Sequence, residues 1–143
     1  MTAALNVFVS GHAAPQGSKR HVGHGIMVES CKRVKPWRES IRSALTGDDG
    51  RPVWRFKGAV ACTLEFVLPR PKSTPKRMTP PAIKKPDLDK LGRAVFDAMT
   101  SAGVIEDDSR IVGLSARKRL AELDETPGLW LQLEPEATMG ETA

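Results

Sequence analysis

Cysteine and long apolar runs are scarce in this sequence, and each scarcity excludes a class of protein. The 143 residues include only two cysteines, Cys31 and Cys62. Two are too few for a disulfide framework, so we expect reduced thiols that pack as small buried hydrophobes. No apolar run approaches the roughly 20 residues that a bilayer helix needs. No basic stretch precedes the apolar residues 7–9, so we expect neither a membrane protein nor a secretory signal.

Charge is distributed unevenly along a chain of otherwise ordinary composition. The size, with 40% hydrophobic and 27% charged residues, indicates one soluble domain. We place this domain at residues 1–135 and expect a disordered tail over 136–143. Residues 1–86 carry 16 basic and 5 acidic side chains, whereas residues 87–143 carry 6 basic and 12 acidic ones. A basic half favours nucleic acid as the partner. Because carboxylates repel phosphate unless a cation lies between them, the acidic half indicates a metal-dependent enzyme.

The spacing of apolar residues predicts an α+β fold, a single domain in which two main helices pack on one mixed sheet. Strands are predicted over 5–10, 25–29, 58–68, 111–120 and 129–134, and helices over 35–45 and 87–101. Residues 69–86 contain six prolines, six lysines or arginines and no acid. Such a segment is too rich in proline for a helix or a central strand, so we expect an extended basic loop.

Acidic residues lie on both sides of the predicted helix 87–101. They are Asp87, Asp89, Glu106, Asp107 and Asp108. If the returning strand runs alongside this helix and brings Asp108 back beside Asp87, hard oxygen ligands meet at one site. Such a set suits Mg²⁺ or Mn²⁺ rather than zinc. The alternative is that the first acids cap the helix and the second group shapes a turn.

One basic residue of the same helix lies close to the first acids. Arg93 follows Asp89 by one helical turn, and Asp97 follows Arg93 by another. A cation at that position can contact the scissile phosphate and stabilise charge in the transition state, with Asp97 holding it in place. The alternative is a chain of ordinary ion pairs at i, i+4 spacing.

Three runs of residues carry a resemblance to a known family. They are KPDLDKL at 85–91, AVFDAM at 94–99 and GVIEDDSRIV at 103–112. These runs resemble the RusA family of Holliday junction resolvases, whose pattern is K-P-D-x-D-N-L-x-K, a helix ending in D-A-L, and G-(V/I)-I-x-D-D-x-(Q/R)-(I/V). Segments 15–20 and 35–38 resemble its phage-type members. The resemblance implies an α+β homodimeric endonuclease, without an organic cofactor, that cuts four-way DNA junctions with Mg²⁺. The resemblance further implies that the protein acts in the cytoplasm of a bacterial cell or of a phage-infected host.

The resemblance also implies a set of site residues. Carried over by position, Asp87, Asp89 and Asp108 bind the metal, with Asp107 beside them, and Arg93 completes the catalytic set. Two positions depart from the family pattern, because its asparagine after the second acid is Lys90 here and its helix lysine is Arg93. Arginine keeps the positive charge but presents a planar fork rather than a point charge.

Basic residues near this set are expected to hold DNA phosphates, with binding that weakens steeply as salt rises. They are Lys19, Arg20, Arg70, Lys72, Lys76, Arg77, Lys84, Lys85 and Lys90. For any one of them, the alternative is a solvated surface charge.

Two other functions remain open on the sequence alone. A non-catalytic DNA-binding or junction-binding module would bind without a divalent metal, and its acids would only cap a helix and shape a turn. Another Mg²⁺-dependent enzyme acting on nucleotides is expected to carry a Gly-rich phosphate loop, which the sequence lacks. A zinc site at His12, His21 and His24 is disfavoured, because no cysteine lies at ligand spacing.

Overall fold

The architecture is that of a computed structural model, which describes residues 4–17, 19–21, 27–29, 32–138 and 140. Its elements in chain order are β1 (Leu5–Ser10), β2 (Lys19–His21), β3 (Met27–Glu29), α1 (Val34–Ala44), β4 (Val60–Leu68), α2 (Leu88–Ala102), a 3-10 turn (Asp108–Arg110), β5 (Ile111–Leu120) and β6 (Gly128–Pro135). The predicted α+β class, with two helices on a mixed sheet, is confirmed. Within these residues, no helix is both long enough and apolar enough to cross a bilayer.

The main sheet contains four strands in the described part of the chain, in the order β1-β6-β4-β5. β4 is parallel to β5 and antiparallel to β6. The apolar residues of β4 alternate with more exposed ones, so that Cys62, Leu64 and Phe66 are buried on one face. Burial raises the pKa of the Cys62 thiol to about 12, which makes it the inert, reduced core residue that was predicted. Cys31 lies outside the described residues.

Both helices cover this buried face of the sheet. The apolar positions of α2 recur at helical spacing, and Leu91, Val95 and Met99 are fully buried. The helix ends at Gly103, whose φ of 85° is the left-handed conformation that glycine adopts easily. Helix α1 packs against α2 and β1.

Two local predictions differ from the structure. The sequence predicts no strand between 5–10 and 25–29, but Lys19–His21 forms β2, which pairs with β3. This short polar strand has no apolar alternation that could reveal it. Trp130 alternates with apolar residues and is predicted to lie in the core, yet it is 51% exposed. It faces away from the helices and packs against Phe8, with ring centroids 4.6 Å apart. By contrast, Trp37 is buried in the core.

The connection β4–α2–β5 determines where the acids lie. The short link after α2 makes β5 start beside the C-terminal end of the helix. β5 then runs antiparallel to α2 and ends near the residues that precede the helix, where Lys118 contacts Pro86. Among the strands of the described residues, β5 also lies at an edge of the sheet.

Candidate active site

The start of α2 carries two exposed carboxylates, Asp87 and Asp89. Asp87 immediately precedes the helix in an extended conformation, the position at which an aspartate commonly caps a helix. Its carboxylate makes no such capping hydrogen bond within the described chain, and its side chain is 53% exposed. Lys90 Nζ lies 3.7 Å from Asp87 Oδ2. The Asp87 carboxylate is therefore accessible from solvent and is not used to cap its helix.

Lys118 holds the backbone that leads into Asp87. Lys118 Nζ donates hydrogen bonds to the carbonyl oxygens of Lys84, at 2.8 Å, and Pro86, at 2.9 Å. Lys118 lies on β5 in register with the buried Phe66. The sequence analysis did not single out Lys118. A lysine at the same alternating positions of a predicted strand as Leu114, Ala116 and Leu120 is nevertheless a detectable signal. Lys118 ties the end of β5 to the acid-bearing turn.

The second acidic group lies at the other end of the helix. Asp108 Oδ1 accepts a hydrogen bond of 2.7 Å from the hydroxyl of Thr100, in the last turns of α2. Asp107 Oδ2 accepts one of 2.9 Å from the amide of Ser109. Hydrogen bonding from Ser109, through its side chain and its amide, lowers the pKa of Asp107. Asp107 thus caps the short 3-10 turn, whereas the exposed Asp108 is oriented by α2.

Helix α2 separates the two acidic groups within one chain. The helix rises about 1.5 Å per residue, so Asp89 and Thr100 are roughly 16 Å apart along its axis. Accordingly, no group of three or more His, Cys, Asp or Glu side chains in the described residues is placed to hold a metal ion. The expectation that the returning strand brings Asp108 beside Asp87 is therefore wrong for a single chain. The strand does run alongside the helix, but Asp108 lies just before its start rather than near its end.

Arg93 lies on the side of α2 where an N-terminal loop is docked. The amide of Gln16 donates to the carbonyl of Lys90 at 3.0 Å. The next residue, Gly17, has a φ of 99°, and a methyl group in place of its hydrogen would lie only 2.6 Å from Arg93 Nη1. The glycine therefore lets the loop backbone approach the guanidinium closely. Arg93 is exposed one turn beyond Asp89.

Asp97 does not hold Arg93 as proposed from its spacing. Its carboxylate accepts a hydrogen bond from the side chain of Gln16 and lies 3.6 Å from Arg38 Nη1. Arg38 also donates to Gln16 Oε1 at 2.8 Å. These three residues come from the N-terminal loop, α1 and α2, so they fasten the loop beside Arg93. No local pattern in the sequence could reveal a contact between such distant positions.

The proline-rich loop is organised by Arg70 rather than being loose. Arg70 donates to the Thr79 hydroxyl at 2.8 Å and to the carbonyl oxygens of Ala121 and Pro75 at 3.2 and 2.6 Å; it also donates to the carbonyl of Met78. This half-buried guanidinium is engaged with protein groups. It therefore has a structural role, which was not predicted for a residue assigned to DNA.

The other predicted DNA-binding residues occupy varied positions. Lys72, Lys76, Arg77, Lys84 and Lys85 are exposed on the loop. Lys90 is half-buried beside Asp87. Lys19 and Arg20 lie in β2. An exposed basic surface thus leads along the loop to the start of α2.

Comparison with protein families decides the class of this site. Residues 11–134 match a family model described as Endodeoxyribonuclease RusA. The chain belongs to the RusA family. RusA proteins are endodeoxyribonucleases, hydrolases that act on DNA, and the family comprises Holliday junction resolvases. The match spans both acidic groups, helix α2 and the basic loop. No curated protein matches the chain.

The donors at the start of α2 fit the metal dependence that is general among RusA nucleases. Asp87 and Asp89 offer hard carboxylate oxygens that are open to water. Mg²⁺ keeps several waters and is commonly bound by one or two carboxylates together with substrate phosphate. Asp87 and Asp89 can therefore supply part of the ligand set of such a cation. Asp108 of the same chain lies at the other end of α2, too far away to add a ligand to it.

Proposed function

We propose that this RusA-family endodeoxyribonuclease is a Mg²⁺-dependent homodimer, which resolves four-way DNA junctions by paired symmetric cuts. The observation that carries the proposal is the position of Asp108, at the opposite end of α2 from Asp87 and Asp89. One chain supplies only part of the ligand set at each end of the helix. Two copies related by a two-fold axis supply the rest.

The edge strand β5 offers a simple way to bring the parts together. In the described residues, β5 pairs on one side only, with β4, and an exposed edge of this kind can pair with another strand. In an antiparallel, two-fold pair of β5 strands, the start of one strand lies beside the end of the other. The end of β5 is tied to Pro86 through Lys118. In such a pair, the partner subunit's Asp108 lies at the same end of the paired strands as Asp87 and Asp89.

Apolar exposure along this edge supports the same pairing. Val112 is 60% exposed and Leu114 is 53% exposed. Large apolar side chains on an edge strand favour a protein interface. A two-fold arrangement is isologous, so it creates two equivalent composite sites, one for each of two strands of a junction.

The chemistry at each site is hydrolysis of one phosphodiester. Asp87 and Asp89, with Asp108 of the partner subunit, would hold the cation, which would supply a water of lowered pKa and offset charge on the phosphate. Water oxygen forms a bond to phosphorus, the bond to the 3′ oxygen breaks, and that oxygen takes a proton. By family resemblance the ends are a 5′-phosphate and a 3′-hydroxyl. Arg93 donates to a phosphate oxygen one turn from Asp89, and its forked guanidinium serves this contact without exchanging a proton.

The basic surfaces hold the arms of the junction. Phosphate contacts are assigned to Lys72, Lys76, Arg77, Lys84 and Lys85 of the loop, to Lys19 and Arg20 of β2, and to Lys90. Arg70 supports the loop from inside. The exposed lysines of the loop can release counterions from DNA on binding.

Complementation between inactive chains tests the composite site. Asp89→Asn and Asp108→Asn are each expected to abolish cleavage of a synthetic four-way junction in Mg²⁺ as homodimers. Co-expressed with different tags and purified as a heterodimer, they are expected to recover one working site. That site combines the intact Asp87 and Asp89 of one chain with the intact Asp108 of the other, so the heterodimer should nick one strand.

The matched control is the heterodimer of Asp87→Asn with Asp89→Asn. Both lesions then fall in the same half of the ligand set, so neither site is complete and no cleavage is expected. An inactive Asp89→Asn/Asp108→Asn heterodimer that still binds the junction contradicts the composite site. Wild-type cleavage that proceeds undiminished in EDTA contradicts metal dependence.

A further inference from the structure

A cavity of about 470 Å³ lies between the proline-rich loop and the ends of β4 and β5. Its walls are mainly apolar and include Leu68, Pro69, Pro80, Pro81 and Leu120. We call this cavity the proline pocket. Its volume falls within the roughly 300–1,000 Å³ that is typical of small-molecule sites. A cavity of this size has room for one planar ring system.

A few polar groups interrupt the apolar walls. Ser73 and Thr74 contribute hydroxyls, and His12 contributes an imidazole. Arg33 and Lys84 add positive charge. Apolar walls with a small number of hydrogen-bonding groups are typical of sites that bind one ligand in a fixed orientation. The positive charges favour a ligand that is attached to phosphate.

The proline pocket adjoins the acids. Pro86 forms part of its wall and immediately precedes Asp87. Nucleotides of one strand follow one another at about 3.4 Å along a duplex axis. A strand whose scissile phosphate lies at Asp87 and Asp89 therefore brings a neighbouring nucleotide to the mouth of the pocket.

Hydrogen bonds within the chain hold the walls of the proline pocket in place. The hydrogen bonds of Arg70 hold the loop at Pro75, Met78 and Thr79. Lys118 holds it again at Lys84 and Pro86. A frame fixed at both ends keeps the cavity open, so a ligand does not have to order the loop on binding.

We propose that the proline pocket receives one unstacked nucleobase from the strand being cut, next to the scissile phosphate. The inference rests on the proposed function, because it needs junction DNA at Asp87 and Asp89. Extruding a base costs less where its stacking on a neighbouring pair is interrupted, as it is at the exchange point of an open four-way junction. Ser73, Thr74 and His12 then contact the edge of the base. The pocket thereby makes the cleavage rate depend on base identity.

Fluorescence of 2-aminopurine tests this inference, since the base brightens when it leaves the stack. The probe is placed at each position flanking the cut site of a four-way junction, and Asp89→Asn protein is used so that the DNA stays intact. One position is expected to brighten several-fold on binding. Adding Ala82→Phe, which fills the pocket wall, is expected to remove the rise. Adding Ala137→Phe, at an exposed position beyond β6, should preserve it.

The outcomes separate the two proposals. Junction binding without brightening at any position overturns the pocket and leaves the proposed function in place. Brightening that survives Ala82→Phe also overturns it. Failure of Asp89→Asn to bind the junction overturns both.

A second measurement does not depend on the folding of a pocket variant. Photo-crosslinking of 5-iodouracil placed at the brightening position of the junction should label His12 or residues 69–86 of the Asp89→Asn protein. Labelling confined to other parts of the chain overturns the assignment.

Discussion

At the scale of single residues, the most consequential contact is the one between Lys90 and Asp87. The ammonium lies 3.7 Å from the carboxylate, where the family pattern has an asparagine. A lysine at this distance competes with any cation for the same oxygen. If the acid pair holds a cation as proposed, we expect it to bind that cation more weakly than its composition implies.

Lys90→Asn is therefore expected to lower the Mg²⁺ concentration that gives half-maximal junction cleavage. The pair is partly exposed, so its contribution is at most about 1 kcal/mol, which corresponds to a shift of about two- to fivefold. Titrations of cleavage rate against Mg²⁺ at constant ionic strength measure it. Lys57→Asn, an exposed lysine outside the site, is the control and should leave the midpoint unchanged. A midpoint that rises in Lys90→Asn contradicts competition.

At the scale of elements, the turn after β5 is fastened by Arg119. It donates to both carboxylate oxygens of Glu125 at 2.7 Å and to Glu65 of β4 at 3.1 Å. Hydrogen bonding from Arg119 lowers the pKa of Glu125 from 4.5 to about 2. The folded-state pKa is depressed, so the stabilisation is present above about pH 4.5. It is lost as the pH falls towards 2.

Glu125→Gln is accordingly expected to reduce the free energy of unfolding by about 1 kcal/mol at pH 7, because water screens a pair of this exposure. The difference from the wild type should shrink between pH 4.5 and pH 2. Urea unfolding at pH 7, 5 and 3 follows it. Glu134→Gln, at an exposed position of β6, should match the wild type throughout. A difference that stays constant with pH would show that the effect is not electrostatic.

The elements themselves were largely predictable, whereas their mutual contacts were not. The bounds of α2 and β5 follow from local apolar spacing and from Gly103, which ends the helix. The position of Asp108 depends on the direction in which β5 leaves α2. The partners of Arg70 and Asp97 lie far away in the chain, so no periodic pattern encodes them. Local spacing therefore predicted the elements better than the geometry of the site.

At the scale of the whole molecule, the basic and acidic halves of the sequence form different parts of the fold. The basic half supplies the loop and β2, and the acidic half supplies both groups of carboxylates. Within one chain, α2 keeps those groups apart. Under the proposed function, a second copy completes each site, so we expect catalysis to depend on assembly and one dimer to make both cuts in a symmetric junction.

The edge of β5 is the surface on which this assembly depends, and Leu114→Arg tests it. Buried positive charges facing each other across a two-fold axis oppose pairing, so we expect the variant to sediment as a single chain of 15.6 kDa. Cleavage should be lost, while circular dichroism stays that of the wild type. Asn6→Arg, on the opposite edge strand β1, is the control and should remain dimeric and active. A Leu114→Arg protein that is dimeric and cleaves junctions would contradict an interface at the edge of β5.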